Sequence, residues 1–173
     1  MARKITVVPY DGEWLESFRD EAQNIRDIFG EEIIEIYHIG STAIPGMSAK
    51  PIVDVMPVVK NIDVIDGFNA VMREKDYLPR GEYGLPGRRY FIKGNEQFRT
   101  HHIHIFQKGH PDIERHLAFR DYLYVYPGKA KEYQALKLRL VEKYKGNKKA
   151  YNNGKNAFIK KIEREAIQWK RNA

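Results

Sequence analysis

A small set of residues carries whatever chemistry this sequence can perform. Residues 37–59, YHIGSTAIPGMSAKPIVDVMPVV, enter as an apolar run, turn through Gly40, Ser41 and Thr42, and leave as a second apolar run that contains one acid, Asp54. Gly40, Ser41, Thr42, Gly46 and Ser48 are small enough to let backbone N–H groups approach an anion, and a short helix starting here would aim its positive end at one. An ionised carboxylate in an apolar strand needs a cation, a hydrogen-bond donor or water. Asp54 is therefore a catalytic or metal-ligating group, the cap of a loop amide, or the ion-pair partner of a base such as Lys50 or Arg89. His102 and His104 lie two residues apart, a spacing that suits a shared metal ion as well as an ordinary surface pair.

Position along the chain decides which of these can meet. Ile33, Ile34, Ile36 and Ile39 read as a strand that ends at Gly40-Ser41, and Ile52, Val53, Val55, Val58 and Val59 read as a second strand beside it. Alternation puts Asp54 and Met56 on one face of that strand and Val53 and Val55 on the other. Residues 88–93 and 99–107 read as a hairpin through the turn 94–97. In it His102, His104 and Phe106 share one face, while His101, Ile103 and Ile105 share the other, so His101 is structural. Alternation also lets only one of Arg88 and Arg89 face a site, as a phosphate ligand or as a hairpin edge. Glu82, in the Gly/Pro-rich loop 81–87, could add a second acid.

The remaining segments read as lead-in and cover. Residues 5–8 form a short strand or lead-in. Asp11 starts a helix whose stripe Trp14, Phe18, Ala22, Ile25 and Phe29 is core, closed by Gly30. Residues 63–75 read as a helix with Ile65, Phe68, Val71 and Met72 inward, and residues 77–80 as a strand. From Pro111 the pattern is helical through Ile113, Leu117 and Tyr124, then over 130–144 and 151–169. The last helix carries the stripe Tyr151, Lys155, Phe158, Ile162, Ala166 and Trp169, in which Lys155 either covers core with its stem or presents its ammonium to a phosphate.

Strand, Gly-Ser, short turn and acid-bearing strand resemble the nucleotidyltransferase fold of the DNA polymerase β type. Its motif is apolar-Gly-[Gly or Ser], a spacer, then two acids flanking an apolar residue. HIGSTAIPGMSAKPIVDV, with GRRYF, HHIHIF, FRDYL and YxxxK at Tyr151 and Lys155, resembles the GrpB family over nearly the whole chain. That family's activity is not established, and it is sometimes fused to dephospho-CoA kinase. The resemblance implies an α+β fold: a nucleotidyltransferase-like mixed sheet of about five strands faced by helices, with a C-terminal helical segment over 111–173, all in one domain, 1–173. It implies a nucleotide-dependent transferase or a nucleotide-binding relative. There Gly40, Ser41, Thr42, Lys50, Arg88, Arg89, Tyr151 and Lys155 would bind phosphate, and Asp54, His102, His104 and Glu82 would hold a divalent metal. Met56 stands where the pattern has its second acid, which opposes two-metal catalysis. The histidines favour Mn²⁺ or Zn²⁺ over Mg²⁺.

Composition narrows the alternatives. The 173 residues include no cysteine, so there is no disulfide framework and no thiolate metal site. No apolar run long enough for a membrane span and no leader pattern occurs, which points to a cytoplasmic, soluble protein. Residues 128–173 carry 14 of the 30 Lys and Arg but 4 of the 23 Asp and Glu, so the net charge of +7 belongs to the tail. A basic tail could be an electrostatic footprint for nucleic acid or an acidic partner. Its lysines, however, lie around the helices instead of on one face, which favours a solvated surface. No Walker Gly-Lys-Ser/Thr, no serine-hydrolase elbow and no cysteine zinc signature is present. The partner that fits best is a nucleoside triphosphate or another phosphorylated small molecule. A catalytically inactive scaffold is the remaining alternative, and the oligomeric state is not legible.

Overall fold

The computed structural model describes residues 6–95 and 97–173; Ile5 of the lead-in and Glu96 of the hairpin turn lie outside them. Helix α1, Glu13–Phe29, opens where the Asp11 carboxylate accepts the Glu13 N–H at 2.9 Å, with Gly12 as the capping residue. It closes at Gly30, which takes φ 56°. The chain then forms β1 (Ile33–Ile39), β2 (Val53–Val59), a 3-10 segment (Ile62–Phe68), α2 (Asn69–Glu74), β3 (Tyr77–Pro79), β4 (Arg88–Gly94) and β5 (Arg99–Gln107). Three helices follow: α3 (Pro111–Val125), α4 (Pro127–Lys143) and α5 (Lys148–Arg171). Val8 of the lead-in bridges to Ala49.

The five strands form one mixed sheet in the order β1-β2-β5-β4-β3. β2 runs antiparallel to β1 and parallel to β5, and β4 runs antiparallel to both β5 and β3. The central parallel pair is covered on both faces, which is why β2 reads as a nearly continuous apolar run. On one face Val53, Val55, Phe91, Ile103 and Ile105 pack against Trp14, Ile25 and Phe29 of α1 and against Ile65 and Met72. On the other, Ile39, Met56 and Phe106 lie beneath Ile113 and Leu117 of α3. One inward assignment fails. Val71 is 40% exposed, because the buried position of its helix is Met72.

The α1 face also encloses a polar group that the apolar stripe conceals. Glu21, 2% exposed, accepts hydrogen bonds from the Tyr77 hydroxyl and, at 2.6 Å, from Lys93 Nζ. His101 sits beside it, bonded to Ser17 at 2.9 Å, so His101 is a structural residue of the covered face.

Candidate functional site

Strand pairing places the acid. In the β1/β2 register Asp54 stands opposite Ile39, and in the β2/β5 register it stands opposite His102, although the two are far apart in sequence. His104, one alternation further along β5, donates from Nε2 to Asp54 Oδ1 at 2.9 Å, and His102 Nδ1 stands 3.7 Å from the same oxygen. Burial pushes the Asp54 carboxyl up, but the two imidazoles outweigh it and hold the acid well below the usual carboxylate range. Gly40 closes over the other oxygen, since a Cβ built there would lie 2.6 Å from Asp54 Oδ2. Donation from His104 Nε2 leaves Nδ1 as the acceptor nitrogen, buried and without a partner among the described residues.

Beyond Asp54 the uncovered part of this face opens into a cleft of about 400 Å³ between the sheet and the C-terminal helices. Gly40 and Ser41 form one wall, and Lys50, Lys137, Lys148 and Lys155 converge on it from three elements. Lys50 Nζ and Lys155 Nζ lie 4.6 and 4.7 Å from the ring centroid of Tyr151. Tyr151 is itself fully buried, and its hydroxyl has no partner among the described residues. Burial pushes that phenol up to about 12, so it is a donor at neutral pH. Lys155 thus faces the cleft, and its own pKa is lowered by burial, partly offset by Asp54.

The expected short helix after Gly40 is a single 3-10 turn, Ser41–Ala43, whose carbonyls at Gly40 and Ser41 take the N–H groups of Ala43 and Ile44. A turn of that length has no appreciable dipole, so the positive charge of the cleft comes from lysine and arginine side chains. Thr42 is buried with its hydroxyl bonded to His38 at 3.0 Å, and serves as wall. The arginine assignment is corrected by the strand phase. Arg89 shares its face with Phe91 and Lys93, away from Asp54, and pairs with Asp66 at 2.8 Å. Arg88 has the correct face but donates to the carbonyls of Glu82 and Tyr83 and lies over the Tyr90 ring. Glu82 accepts the Gly87 N–H at 2.6 Å and staples its own loop, so it does not join Asp54. Nor does Met56 leave room for an acid, being fully buried with Ile39 and Phe106. The paired carboxylates of a two-metal centre do not fit this face. Among the described residues no three His, Asp or Glu side chains form a metal-binding group.

Lys137 and Tyr133 went unread in the sequence, along with Arg99, Arg115 and His116 on the opposite wall. Lys137 had a signal: Ala130, Tyr133, Leu140 and Tyr144 form an apolar stripe on α4 that Lys137 interrupts, just as Lys155 interrupts that of α5.

The buried histidines on both faces of the sheet make stability depend on pH. Burial lowers His38 to about 4, with Asp54 opposing and Arg120 reinforcing the shift. Burial likewise lowers His101 and His102, and brings His116 well below its ordinary value, helped by His104 and Arg115. A histidine whose folded pKa is depressed binds fewer protons folded than unfolded, so its contribution is complete above about pH 6.5 and is lost as the pH falls towards the folded value. Urea unfolding at several pH values will show the midpoint falling steeply from pH 6.5 to 4. His38→Phe, which keeps the stack on Phe18, will flatten that slope.

The comparisons with known proteins agree with this architecture. The family model described as GrpB protein matches residues 4–165. The chain belongs to the GrpB family. UPF0157 protein YqkA of Bacillus subtilis is 45% identical over 169 residues, which is 98% of this chain and 49% of that protein, so the chain spans about half the length of this relative. The crystal structure of conserved protein GrpB from Enterococcus faecalis superposes with a TM-score of 0.90 at 41% identity, over 94% of this chain and 98% of that one. A cytoplasmic RNA terminal U-transferase superposes at TM-score 0.52 and 14% identity, over 76% of this chain and 42% of that one. The chain therefore has a nucleotidyltransferase-like fold, a five-stranded mixed sheet with helices. No helix among the described residues is long and apolar enough to cross a membrane.

Proposed function

We propose that this cleft binds a nucleoside triphosphate or another phosphorylated small molecule, and that the chain is a nucleotide-dependent transferase or a nucleotide-binding relative of one. The observation that carries the reading is the convergence of Lys50, Lys137, Lys148 and Lys155 beside Ser41 and the unpartnered hydroxyl of Tyr151. A phosphate chain there would take a hydrogen bond from Tyr151 and charge from the lysines, in a partly enclosed site where such contacts outweigh those in bulk water. Asp54, at the foot of the same cleft, is oriented by His104 to face the reacting end of such a ligand. The divalent metal implied by the resemblance finds no three-residue ligand set among the described residues, so the proposed binding rests on the cleft's own side chains and no step runs through a metal. A second reading, binding without turnover, is favoured by the packed Met56.

Titration calorimetry with tripolyphosphate, ATP and UTP at about 0.15 M salt tests the binding. Tyr151→Phe and Lys155→Met should each weaken it about tenfold or more, in line with one lost hydrogen bond to a charged group. Absence of binding, or affinities unchanged in both variants, overturns the reading. Release of pyrophosphate from a bound triphosphate would separate the transferase from the binding relative.

A further inference from the structure

Lys137 is a buried cation with no counter-charge among the described residues. It is 2% exposed, in the middle of α4. Its ammonium donates to Ser41 Oγ at 3.0 Å and to the Ser48 carbonyl at 2.6 Å, and lies 4.6 Å from the centroid of the Tyr133 ring. Among the described residues no carboxylate pairs with it. The two acids that line the cleft are engaged elsewhere, Asp54 by His104 and Glu163 by Arg115. The charged groups that bear on Lys137 are instead Lys155 from α5 and Lys50 from the segment before β2, both cations, with the phenols of Tyr133 and Tyr151 between them. An unpaired buried charge is costly, and such a group relieves the cost by losing its proton or by acquiring a counter-ion.

We propose that Lys137 is the positioning residue and charge sensor of this cleft: it holds Ser41 in place and takes up a proton when a doubly charged anion enters. The inference rests on the anion-binding reading above and names the feature of the ligand that matters, which is a dianionic phosphate group in preference to a monoanionic one. Burial, then Lys155 and Lys50, bring Lys137 down to about 7, so a fraction of it is uncharged in the free protein at neutral pH. A dianion supplies the missing counter-charge and drives the amine to the ammonium form, while a monoanion attracts the ammonium about half as strongly and offsets less of its burial cost. The proton arrives from solvent and no covalent bond changes. Because Ser41 Oγ accepts from Lys137, its own proton is left to donate, either to Tyr133 or to an arriving anionic oxygen.

The test follows the Cε resonance of Lys137 in ¹³C-lysine-labelled protein against pH, assigned by its absence in Lys137→Arg. The probe is sulfate, a dianion whose charge does not change near neutrality, with acetate as the monoanion. The expected result is a titration near pH 7 in the free protein that moves up by about one unit or more in saturating sulfate and hardly at all in acetate. Calorimetry of pyrophosphate binding in buffers of different ionisation enthalpy should show proton uptake that falls in Lys137→Arg, which keeps the charge and cannot lose it. Should Lys137→Arg fold poorly, Lys137→Met supplies the assignment and the wild-type titration decides. A Lys137 resonance that titrates with the exposed lysines, or that sulfate leaves unmoved although it binds, overturns the coupling while the cleft reading stands. No binding of sulfate or pyrophosphate at all overturns both.

Discussion

Met56→Asp lowers the stability of the fold by about 3 to 5 kcal/mol, the usual cost of leaving a buried charge unpaired, and Mn²⁺ does not recover it. Position 56 is where the nucleotidyltransferase pattern carries its second acid, and it lies on the same strand face as Asp54. That face is not uniform. At Asp54 it meets the cleft, but two residues on it is closed by Ile39 and Phe106 from the neighbouring strands and roofed by Ile113 and Leu117 of α3. An aspartate there would lose the Met56 packing and gain no donor. If the two carboxylates could instead share an ion, Mn²⁺ would restore most of the loss. Melting temperatures of the variant with and without Mn²⁺, beside Asp54→Asn as control, separate the two outcomes. Full recovery by Mn²⁺ would reopen two-metal catalysis for this chain.

How far the site was legible in the sequence follows from the range over which each pattern acts. Period-two alternation is local, so it put Asp54 with Met56 on one face of β2, and His102 with His104 on one face of β5 opposite to His101, as the structure shows. Parallel pairing of β2 with β5 then set Asp54 beside His102, a step that no local pattern could supply. The arginines failed for lack of phase: alternation said that one of the two faces the site but not which. The one that does, Arg88, is occupied by the carbonyls of its own loop. Asp66, which holds Arg89, lies in a segment whose packing depends on the whole α1 face. Lys137 was concealed for a different reason. A lysine within an apolar stripe reads equally as a snorkelling side chain or as a buried cation, and the choice depends on Ser41 and Ser48, which are brought to α4 only by the tertiary fold.

Gly40→Ala should weaken ligand binding in the cleft by more than about tenfold and destabilise the protein. Gly40 adopts φ 73° and ψ −172°, a region that is essentially restricted to glycine and costs an alanine on the order of 1 to 3 kcal/mol. The new Cβ would also lie 2.6 Å from Asp54 Oδ2 and 3.3 Å from Asp54 Cβ and Cγ, so one of the two must move. Asp54 is anchored through Oδ1 to His104, and β2 is the second strand of the sheet, paired on both sides. The turn is the softer partner, and it would swing away with Ser41, breaking the bond from Lys137 that fixes this wall of the cleft. Backbone strain and side-chain clash make separable contributions. In the double variant Gly40→Ala, Asp54→Gly the clash is gone and the strain remains, so a double-mutant cycle reads the difference as the energy of the contact. The expected result is a melting temperature well below wild type for Gly40→Ala, partial recovery in the double variant, and loss of tripolyphosphate binding of more than about tenfold, equivalent to 1.4 kcal/mol. Wild-type binding by Gly40→Ala would mean that the turn does not touch the ligand, and would confine the anion site to the lysines of α4 and α5.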